Sequence, residues 1–312
     1  MSLRSVLVTG SSGMIGTVLS ERLLRQGIEV TGVDIAHNQW SAAVNDVTIE
    51  ADLRNLDEIG RLPEGVDVIV HLAANARVRQ LVRNPERARD NFETTFNVLE
   101  FARQAGVPNV VLGSSREVYG NKGKVVCSET DTYVDECESP YTASKIGAEA
   151  MTKAYDRCYG IDSCVLRFSN VYGKYDESNR VMPLFIAQAH HDRPLTVYGA
   201  EKLLDFTHVH DCVRGITMSI DNFEKAKGTT FNVASGNGAS LLEVAEEIIE
   251  QTSSNSDVRI EASRTGEVDR YVADISKARK MLDYHPEYGL PDGIAKAIDW
   301  YQRHQQLLNA IV

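Results

Sequence analysis

Tyr141 and Lys145 are the two residues whose types and spacing most directly indicate chemistry. They lie in the segment SPYTASK, where Ser139 predicts a helix N-cap and Pro140 the first helical position. Residues four apart share one face of a helix. A phenol with a pKa of about 10 is a poor base at neutral pH, but a neighbouring ammonium lowers that pKa. The pair therefore predicts a tyrosine that exchanges protons with a substrate, with a solvated surface pair as the alternative.

A serine stands where it could assist that tyrosine. The apolar run Val110 to Leu112 predicts a strand, and Gly113, Ser114 and Ser115 follow it. Ligands of doubly wound sheets bind at the carboxyl ends of the strands. We expect Ser115 to hydrogen-bond the reacting hydroxyl and to share its proton with Tyr141. The adjacent Ser114 is more simply explained as a structural cap.

A glycine-rich turn joins the predicted first strand to the first helix. Gly10 permits a tight turn, Gly13 lets the backbone approach a pyrophosphate, and Gly16 lets the helix pack on the sheet. The helix begins near Met14 and Ile15, and its N-terminal N–H groups favour phosphate. Glycines alone are weak evidence, but a strand before them and a helix after them predict a dinucleotide site.

Asp34 ends the predicted second strand and identifies the dinucleotide. Its carboxylate can accept hydrogen bonds from both adenosine ribose hydroxyls and would repel a 2′-phosphate, so NAD is favoured over NADP. Further predicted cofactor contacts follow the next two strands: Asp52, Leu53, Leu72, Ala73 and Ala74. Asp52 could reach the adenine amino group, although a loop cap is the alternative. His71 is interpreted as a packed histidine at a strand end.

The elements that must position these residues alternate between strand and helix. Runs such as Val66–Leu72 and Cys164–Phe168 are apolar throughout, which is typical of parallel strands buried on both faces. We predict an α/β fold with a doubly wound parallel (Rossmann) sheet formed by 1–173 and 211–236. A smaller mixed α/β C-terminal substrate lobe is expected from 174–210 and 237–312.

Composition excludes several function classes. Lys and Arg total 33 against 44 Asp and Glu, and the net charge of −11 argues against a nucleic-acid or anionic-membrane partner. The sequence has no apolar run long enough to span a bilayer, and its start does not resemble a secretory leader. Five cysteines without a C-x-x-C pair favour free thiols and a cytoplasmic protein. We expect no metal site.

These motifs together resemble the extended short-chain dehydrogenase/reductase family, and most of all its nucleotide-sugar epimerases and dehydratases. The resemblance rests on motifs spread over almost the whole chain: Thr9–Gly16, Asp34, the Ser115 segment, Tyr141 with Lys145, Leu166–Gly173, Val209–Asp211 and Asp274–Ala278. It implies an NAD-dependent 4-epimerase of the UDP-glucose/UDP-galactose type, which oxidises C4 transiently and reduces it on the other face. It also implies a homodimer and a nucleotide-diphosphate sugar as substrate.

The resemblance also implies a set of substrate contacts. Asn170 matches an asparagine near the sugar diphosphate, and Arg264 matches an arginine that contacts phosphate. Tyr271 matches a position that limits sugar size, which favours a plain hexose. Arg264 as a surface ion pair and Tyr271 as a packing residue are the alternatives. The complete predicted substrate set is Ser115, Glu117, Tyr141, Asn170, Arg180, Val181, Arg264 and Tyr271.

Two positions depart from the family pattern. Leu204 stands where an arginine usually precedes Asp-Phe, so Arg180 or Arg270 would have to supply a second diphosphate contact. Arg116 stands where sugar 4,6-dehydratases carry the acid that protonates the leaving hydroxyl. A full dehydratase is thus disfavoured, while a UDP-sugar-acid decarboxylase or epimerase and a 4-keto reductase stay open. A non-catalytic NAD-binding sensor is disfavoured because Ser115, Tyr141 and Lys145 are intact.

The two predicted helices near 88–105 and 141–158 bear on oligomeric state. Their apolar positions are Phe92, Phe96, Leu99, Met151 and Tyr155. These residues either pair two copies of the chain through a helical bundle, as the resemblance favours, or pack against the sheet.

Overall fold

The computed structural model describes residues 4–121, 125–132, 134–263 and 268–312. Its strands, in chain order, are β1 Ser5–Thr9, β2 Glu29–Asp34, β3 Thr48–Glu50, β4 Val68–His71, β5 Asn109–Ser115, β6 Val126–Cys127, β7 Asp162–Phe168, β8 Asn170–Tyr172, β9 Leu195–Tyr198, β10 Leu203–His208, β11 Thr230–Val233, β12 Gly238–Ser240, β13 Val258–Glu261 and β14 Arg270–Ala273.

The helices alternate with these strands through most of the chain. They are α1 Met14–Arg25, α2 Ala42–Asp46, α3 Leu56–Ile59, α4 Val78–Arg83, α5 Glu86–Gln104, α6 Pro140–Tyr159, α7 Val181–His190, α8 Val209–Asp221, α9 Phe223–Ala226, α10 Leu241–Thr252, α11 Ser276–Leu282, α12 Leu290–Gln302 and α13 Gln305–Ile311. Within the described part of the chain, no helix has the length and apolar character needed to cross a membrane.

A seven-stranded sheet forms the larger part of the molecule. Its order is β11-β7-β5-β4-β1-β2-β3, and every neighbouring pair is parallel. The chain moves in one direction across the sheet from β1 to β3 and in the other from β4 to β11. The carboxyl ends of β1 and β4 therefore border a crevice at the point where strand order reverses, which is where doubly wound sheets bind ligands. The predicted doubly wound parallel sheet is confirmed.

Both faces of this sheet are covered by apolar side chains. Val6 and Val8 of β1 pack with Leu19 of α1 on one face. Leu7 of β1 packs with Leu99 of α5 on the other. All of these residues are buried, which explains why the strands read as continuous apolar runs rather than as alternating patterns.

The smaller sheet is mixed. Its order is β12-β10-β14-β6, with β8 also on β10, and the β10–β12 pair is antiparallel. β6 and β8 come from the predicted segment 1–173 and β10 from 174–210, so these two segments meet in this sheet. The helices α7, α10 and α12 form a separate apolar core with β9 and β10. This part of the molecule corresponds to the predicted smaller lobe.

The single terminal helix predicted for 291–307 is two helices, α12 and α13. The break follows Gln302, and His304 has a backbone outside the helical region. The imidazole Nδ1 of His304 donates to the Trp300 carbonyl at 2.7 Å, while the His304 N–H donates to Tyr301. A side chain thus engages a carbonyl that would otherwise continue the helix, and the chain turns.

Asp205 of β10 ties the two sheets together. Its carboxylate is fully buried and accepts from the Ser235 and Gly236 N–H groups, the Ala273 N–H, and the hydroxyls of Ser235 and Thr207. Burial raises the pKa of Asp205, whereas these donors lower it. One side chain therefore joins β10 to the turn after β11 and to β14.

A buried ion pair joins α6 to the large sheet. Arg167 of β7 donates to both carboxylate oxygens of Glu149 on α6, at 2.9 and 2.7 Å. Ser114 of β5 donates to Glu149 at 2.5 Å, and Arg167 also donates to the Tyr119 hydroxyl. Since α6 carries Tyr141 and Lys145, this pair determines how their helix lies on the sheet.

We predict that Arg167→Met lowers the free energy of unfolding by about 3–5 kcal/mol, because it leaves the Glu149 carboxylate buried without its cation. The Glu149→Leu/Arg167→Met double variant, which removes both charges, should lose less. Denaturant unfolding of the three proteins measures this difference. A double variant less stable than the single variant would contradict the interpretation.

Candidate active site

The turn between β1 and α1 is shaped by two close backbone approaches. Gly10 has a φ of +73°, and a Cβ there would lie 2.8 Å from the Ala73 nitrogen at the end of β4. A Cβ on Gly16 would lie 2.0 Å from the Gly10 carbonyl oxygen. Only glycine fits either position. Gly13 is the N-cap of α1, and no side chain there accepts a hydrogen bond from the first backbone N–H groups of the helix. The N–H groups near Met14 and Ile15 are therefore available to a ligand in the crevice.

Asp34 lies at the carboxyl end of β2, next to this turn. Its carboxylate accepts the Ser12 N–H at 3.0 Å and the Ala36 N–H at 3.2 Å. Burial raises the pKa of Asp34, and these backbone donors oppose the rise. The carboxylate is thus held beside the glycine turn by the turn itself, as a ribose ligand would need to be.

Ile35 is a neighbouring residue that sequence reasoning missed. Its side chain is 68% exposed, although it is large and apolar. A flat aromatic base bound beside Asp34 would cover it and remove that apolar surface from water. The signal was present in the sequence as an apolar residue directly after Asp34, the predicted ribose ligand.

The end of β4 is held rigid by a buried chain of hydrogen bonds. The Thr9 hydroxyl accepts the Leu72 and Ala73 N–H groups and bonds His71 Nδ1 at 2.8 Å. His71 Nε2 bonds Thr95. Burial lowers the pKa of His71 to about 3, with the nearby Lys145 cation contributing, so the ring is neutral. His71 is therefore the packed strand-end histidine that the sequence predicted.

The other predicted cofactor residues lie along the same edge. Ala74 follows Ala73 in the partly exposed loop after β4, and Leu53 is buried in the loop after β3. The Asp52 carboxylate bonds the Arg54 guanidinium and backbone N–H. In this structure Asp52 thus serves as a loop cap, and its contact with adenine stays a prediction.

The structure brings Ser115, Tyr141 and Lys145 together at the carboxyl edge of the sheet. Ser115 ends β5, while Tyr141 and Lys145 occupy the first and second turns of α6, whose N-cap Ser139 accepts the Thr142 N–H. The Ser115 hydroxyl accepts the Glu117 N–H at 3.2 Å and is near enough to the Tyr141 hydroxyl to lower its pKa. Lys145 Nζ donates to the Gly113 carbonyl at 2.9 Å. All three groups therefore surround one point between β5 and α6.

Burial and charge act in opposite directions on the tyrosine. Burial raises the pKa of Tyr141, whereas the hydrogen bond to Ser115 lowers it. The Glu117 carboxylate raises this pKa, and the cations that lower it are Arg180 and Arg116. Sequence reasoning gave a cationic role to Lys145 and named neither arginine for it. The effect of Lys145 on Tyr141 stays a prediction.

Glu117 and Asn170 are linked through Arg116. Arg116 Nη2 lies 2.9 Å from Glu117 Oε1, and Arg116 Nε donates to Asn170 Oδ1 at 3.0 Å. The Asn170 amide in turn donates to the Asp205 carbonyl. These three side chains form one wall of the crevice beside Ser115.

The remaining predicted substrate residues are spread around the crevice. Arg180 is the N-cap residue of α7 and Val181 its first residue, and the Arg180 guanidinium contacts the Ala76 carbonyl in the loop after β4. Tyr271 is fully buried and stacks on Tyr119 with 5.5 Å between ring centroids. This burial fits the packing alternative, and its contact with a sugar stays a prediction. Arg264 lies outside the described residues.

Leu204 and Arg116, the two residues that depart from the family pattern, are buried in different surroundings. Leu204 is buried in the apolar core of the smaller lobe. Arg116 is buried directly after Ser115. Among the described side chains, no three His, Cys, Asp or Glu residues cluster as metal ligands would.

Comparison with known proteins gives this arrangement a context. A sequence model described as the NAD dependent epimerase/dehydratase family matches residues 6–234. The UDP-glucuronate 4-epimerase of Thermodesulfobacterium geofontis is 29% identical, over 98% of each chain. The structure of UDP-glucose 4-epimerase from Thermotoga maritima, solved with UDP-glucose, superposes with a TM-score of 0.88 at 25% identity, covering 96% of this chain and 99% of that one. The dTDP-glucose 4,6-dehydratase DesIV of Streptomyces venezuelae, solved with NAD and TYD, gives 0.90 at 28% identity, covering 99% and 100%.

The buried ammonium of Lys145 generates a prediction about pH. Burial lowers its pKa from 10.5 to about 8, against the opposing effect of Glu149. Below pH 8 the folded protein bears the full cost of a buried cation, and this cost disappears as pH rises towards 10.5. The unfolding free energy of the wild type, relative to that of Lys145→Met, should therefore increase between pH 8 and 10.5. Denaturant unfolding of both proteins across this range tests it, and a constant difference would contradict it.

Proposed function

Because the chain belongs to the NAD-dependent epimerase/dehydratase family, we propose that it is a nucleotide-sugar 4-epimerase. The observation that carries the proposal is the grouping of Ser115 and Tyr141 beside the buried Lys145 at the carboxyl end of β5. A proton acceptor beside a dinucleotide turn is what oxidation of an alcohol requires.

The residues present fit the cofactor of the family. Gly10 approaches Ala73 with no side chain between them, and the N-terminus of α1 has no side-chain cap. Together with the Asp34 carboxylate, these features provide places for a pyrophosphate and a ribose. Lys145 would hold the nicotinamide ribose, and Ile35 would cover the adenine. When bound, NAD supplies reversible hydride acceptance at the sugar C4. The carboxylate at Asp34 favours NAD over NADP because it would repel a 2′-phosphate.

Tyr141 is the group that takes the proton from the sugar 4-hydroxyl. Ser115, whose hydroxyl lowers the pKa of Tyr141, would bond both that hydroxyl and the phenol, which gives the proton a short path. Arg180 and Arg116 stabilise the phenolate charge, and the burial of Tyr141 keeps water away. The same proton returns from Tyr141 when C4 is reduced again, so the residues end the cycle as they began.

The epimerisation requires the keto sugar to turn over while its nucleotide stays bound. The first turn of α7, with Arg180 at its N-cap, is a fitting diphosphate site because helix N-termini favour anions. Arg264 and Asn170 are the further proposed contacts. With Leu204 buried in an apolar core, Arg180 is our candidate for the second diphosphate cation.

A decarboxylase, a 4,6-dehydratase or a 4-keto reductase is the alternative within the family. Elimination of a C6 hydroxyl needs a general acid. A guanidinium cannot provide one because its pKa is above the functional range. Arg116 in place of that acid therefore favours an epimerase over a dehydratase. Release of CO₂ from a uronic acid substrate would identify a decarboxylase.

We further propose that the protein acts as a homodimer in the cytoplasm. Leu99 and Tyr155 are buried, and Met151 packs against the core, as the alternative interpretation of the two helices expected. Phe92 and Phe96 are different, since each is 44% exposed on the outer face of α5. Two exposed phenylalanines one turn apart form an apolar patch that a second copy could cover.

Tyr141→Phe tests the assigned chemistry. We expect it to lower the rate of nucleotide-sugar interconversion by at least about 100-fold, since general acid–base groups contribute that much. NAD content should be unchanged. Tyr155→Phe, on the same helix but bonded to Glu100, is the matched control and should remain active. Chromatography of reactions with UDP-glucose, UDP-galactose and their uronic acids provides the measurement. Wild-type protein that interconverts none of them would refute the function, and an active Tyr141→Phe would refute the role.

Phe96→Glu tests the dimer. A charge in the apolar patch should shift the sedimentation coefficient at micromolar concentration from that of a dimer to that of a monomer, because an unpaired charge is costly to bury. Arg103→Glu, near the exposed C-terminal end of α5, serves as the control. If the wild type itself sediments as a monomer, the dimer proposal fails.

A further inference from the structure

Arg116 is a buried cation whose hydrogen-bonding capacity is not used up by the protein. The residue is 9% exposed and begins the 3-10 turn 116–119 directly after Ser115. Its Nε is bonded to Asn170 and its Nη2 to Glu117. Its Nη1 is buried and has no acceptor in the described part of the protein. Buried N–H groups of a guanidinium nearly always have partners, so this atom is a candidate for ligand binding.

The position of Arg116 relative to Tyr141 indicates which part of a sugar it faces. Arg116 follows Ser115 directly in the chain, and the Glu117 N–H donates to the Ser115 hydroxyl at 3.2 Å, so both residues lie beside the serine at the reacting group. Their charges also act on the Tyr141 hydroxyl. If C4 of a hexopyranose is at Tyr141, its neighbours are C3 and C5, and C6 extends from C5. The diphosphate is on C1, across the ring. Arg116 thus lies beside the reacting end of the sugar, where C4, C5 and C6 are found.

The chemistry of that end distinguishes two substrate classes. A neutral hexose has a hydroxymethyl group at C6, whereas a hexuronic acid has a carboxylate. A guanidinium binds a carboxylate through charge-assisted hydrogen bonds, which are roughly twice as strong as neutral ones. A buried guanidinium nitrogen without an acceptor gains more from a carboxylate than from a hydroxyl.

We propose that Arg116 is a specificity-determining residue that recognises a C6 carboxylate, so that the substrate class is nucleotide-linked hexuronic acids rather than neutral hexoses. The inference rests on the proposed 4-epimerase function, and it selects a different sugar from the plain hexose that the Tyr271 position favours.

Glu117 provides a second test of the proposal, because its removal should affect substrate preference in the opposite direction from removal of Arg116. Its carboxylate shares Arg116 and is also close to the Tyr141 hydroxyl. A substrate carboxylate bound at Arg116 would be repelled by Glu117. Removing the charge at 117 should therefore favour the uronic acid, while removing the charge at 116 should disfavour it.

The experiment compares kcat/KM for UDP-glucuronic acid and UDP-glucose in four proteins. The wild type should prefer the uronic acid, and Arg116→Met should lower the ratio of the two kcat/KM values by roughly 10- to 100-fold. Arg116→Lys should keep part of the preference because it keeps the charge. Glu117→Gln should maintain or increase the ratio. NAD content and thermal unfolding of each variant check that the fold is retained.

The outcomes separate this proposal from the proposed function. Interconversion of both sugars with an unchanged ratio in Arg116→Met overturns the role of Arg116 and leaves the epimerase proposal standing. An equal fall of the ratio in Arg116→Met and Glu117→Gln also overturns it, since that result means Arg116 only positions Glu117. If no protein interconverts either sugar, the proposed function itself fails.

Discussion

The site depends on the close packing of three stretches of backbone at the carboxyl ends of β1 and β4, where the strand order reverses. Gly10 lies against Ala73 on one side and against Gly16 on the other, with no room for a side chain at either contact. This contact sets the direction of α1, and with it the N–H groups that face the crevice. It also brings Ser12 to the Asp34 carboxylate. The dinucleotide site is therefore a consequence of backbone packing, to which side chains add only selectivity.

The buried charges near that crevice differ in how far neighbouring charges compensate them. Glu149 and Arg167 neutralise each other and position α6. Lys145, four residues before Glu149, keeps a lowered pKa of about 8 because burial outweighs that carboxylate. Tyr141 is affected by two cations and by Glu117. A low-dielectric setting strengthens each of these interactions, which explains why a few side chains can control the protonation of one phenol.

Local patterns in the sequence were sufficient for the sheet, the glycine turn, and the grouping of Ser115 with Tyr141 and Lys145, because each depends on residues close in the chain or on strand ends. Features that depend on distant side chains were beyond those patterns. The contact between Arg116 and Asn170 spans 54 residues, and Tyr271 is buried by Tyr119 from another element. One local feature was also missed: the terminal helix breaks because His304 bonds the Trp300 carbonyl, and hydrophobic periodicity does not encode this contact.

The tie at Asp205 has an evolutionary consequence. Three of its five donors are backbone N–H groups, which every residue except proline provides. The orientation of the lobe on the sheet is thus insensitive to most changes of lobe sequence. Side chains around the substrate can diversify while the frame that holds them stays the same.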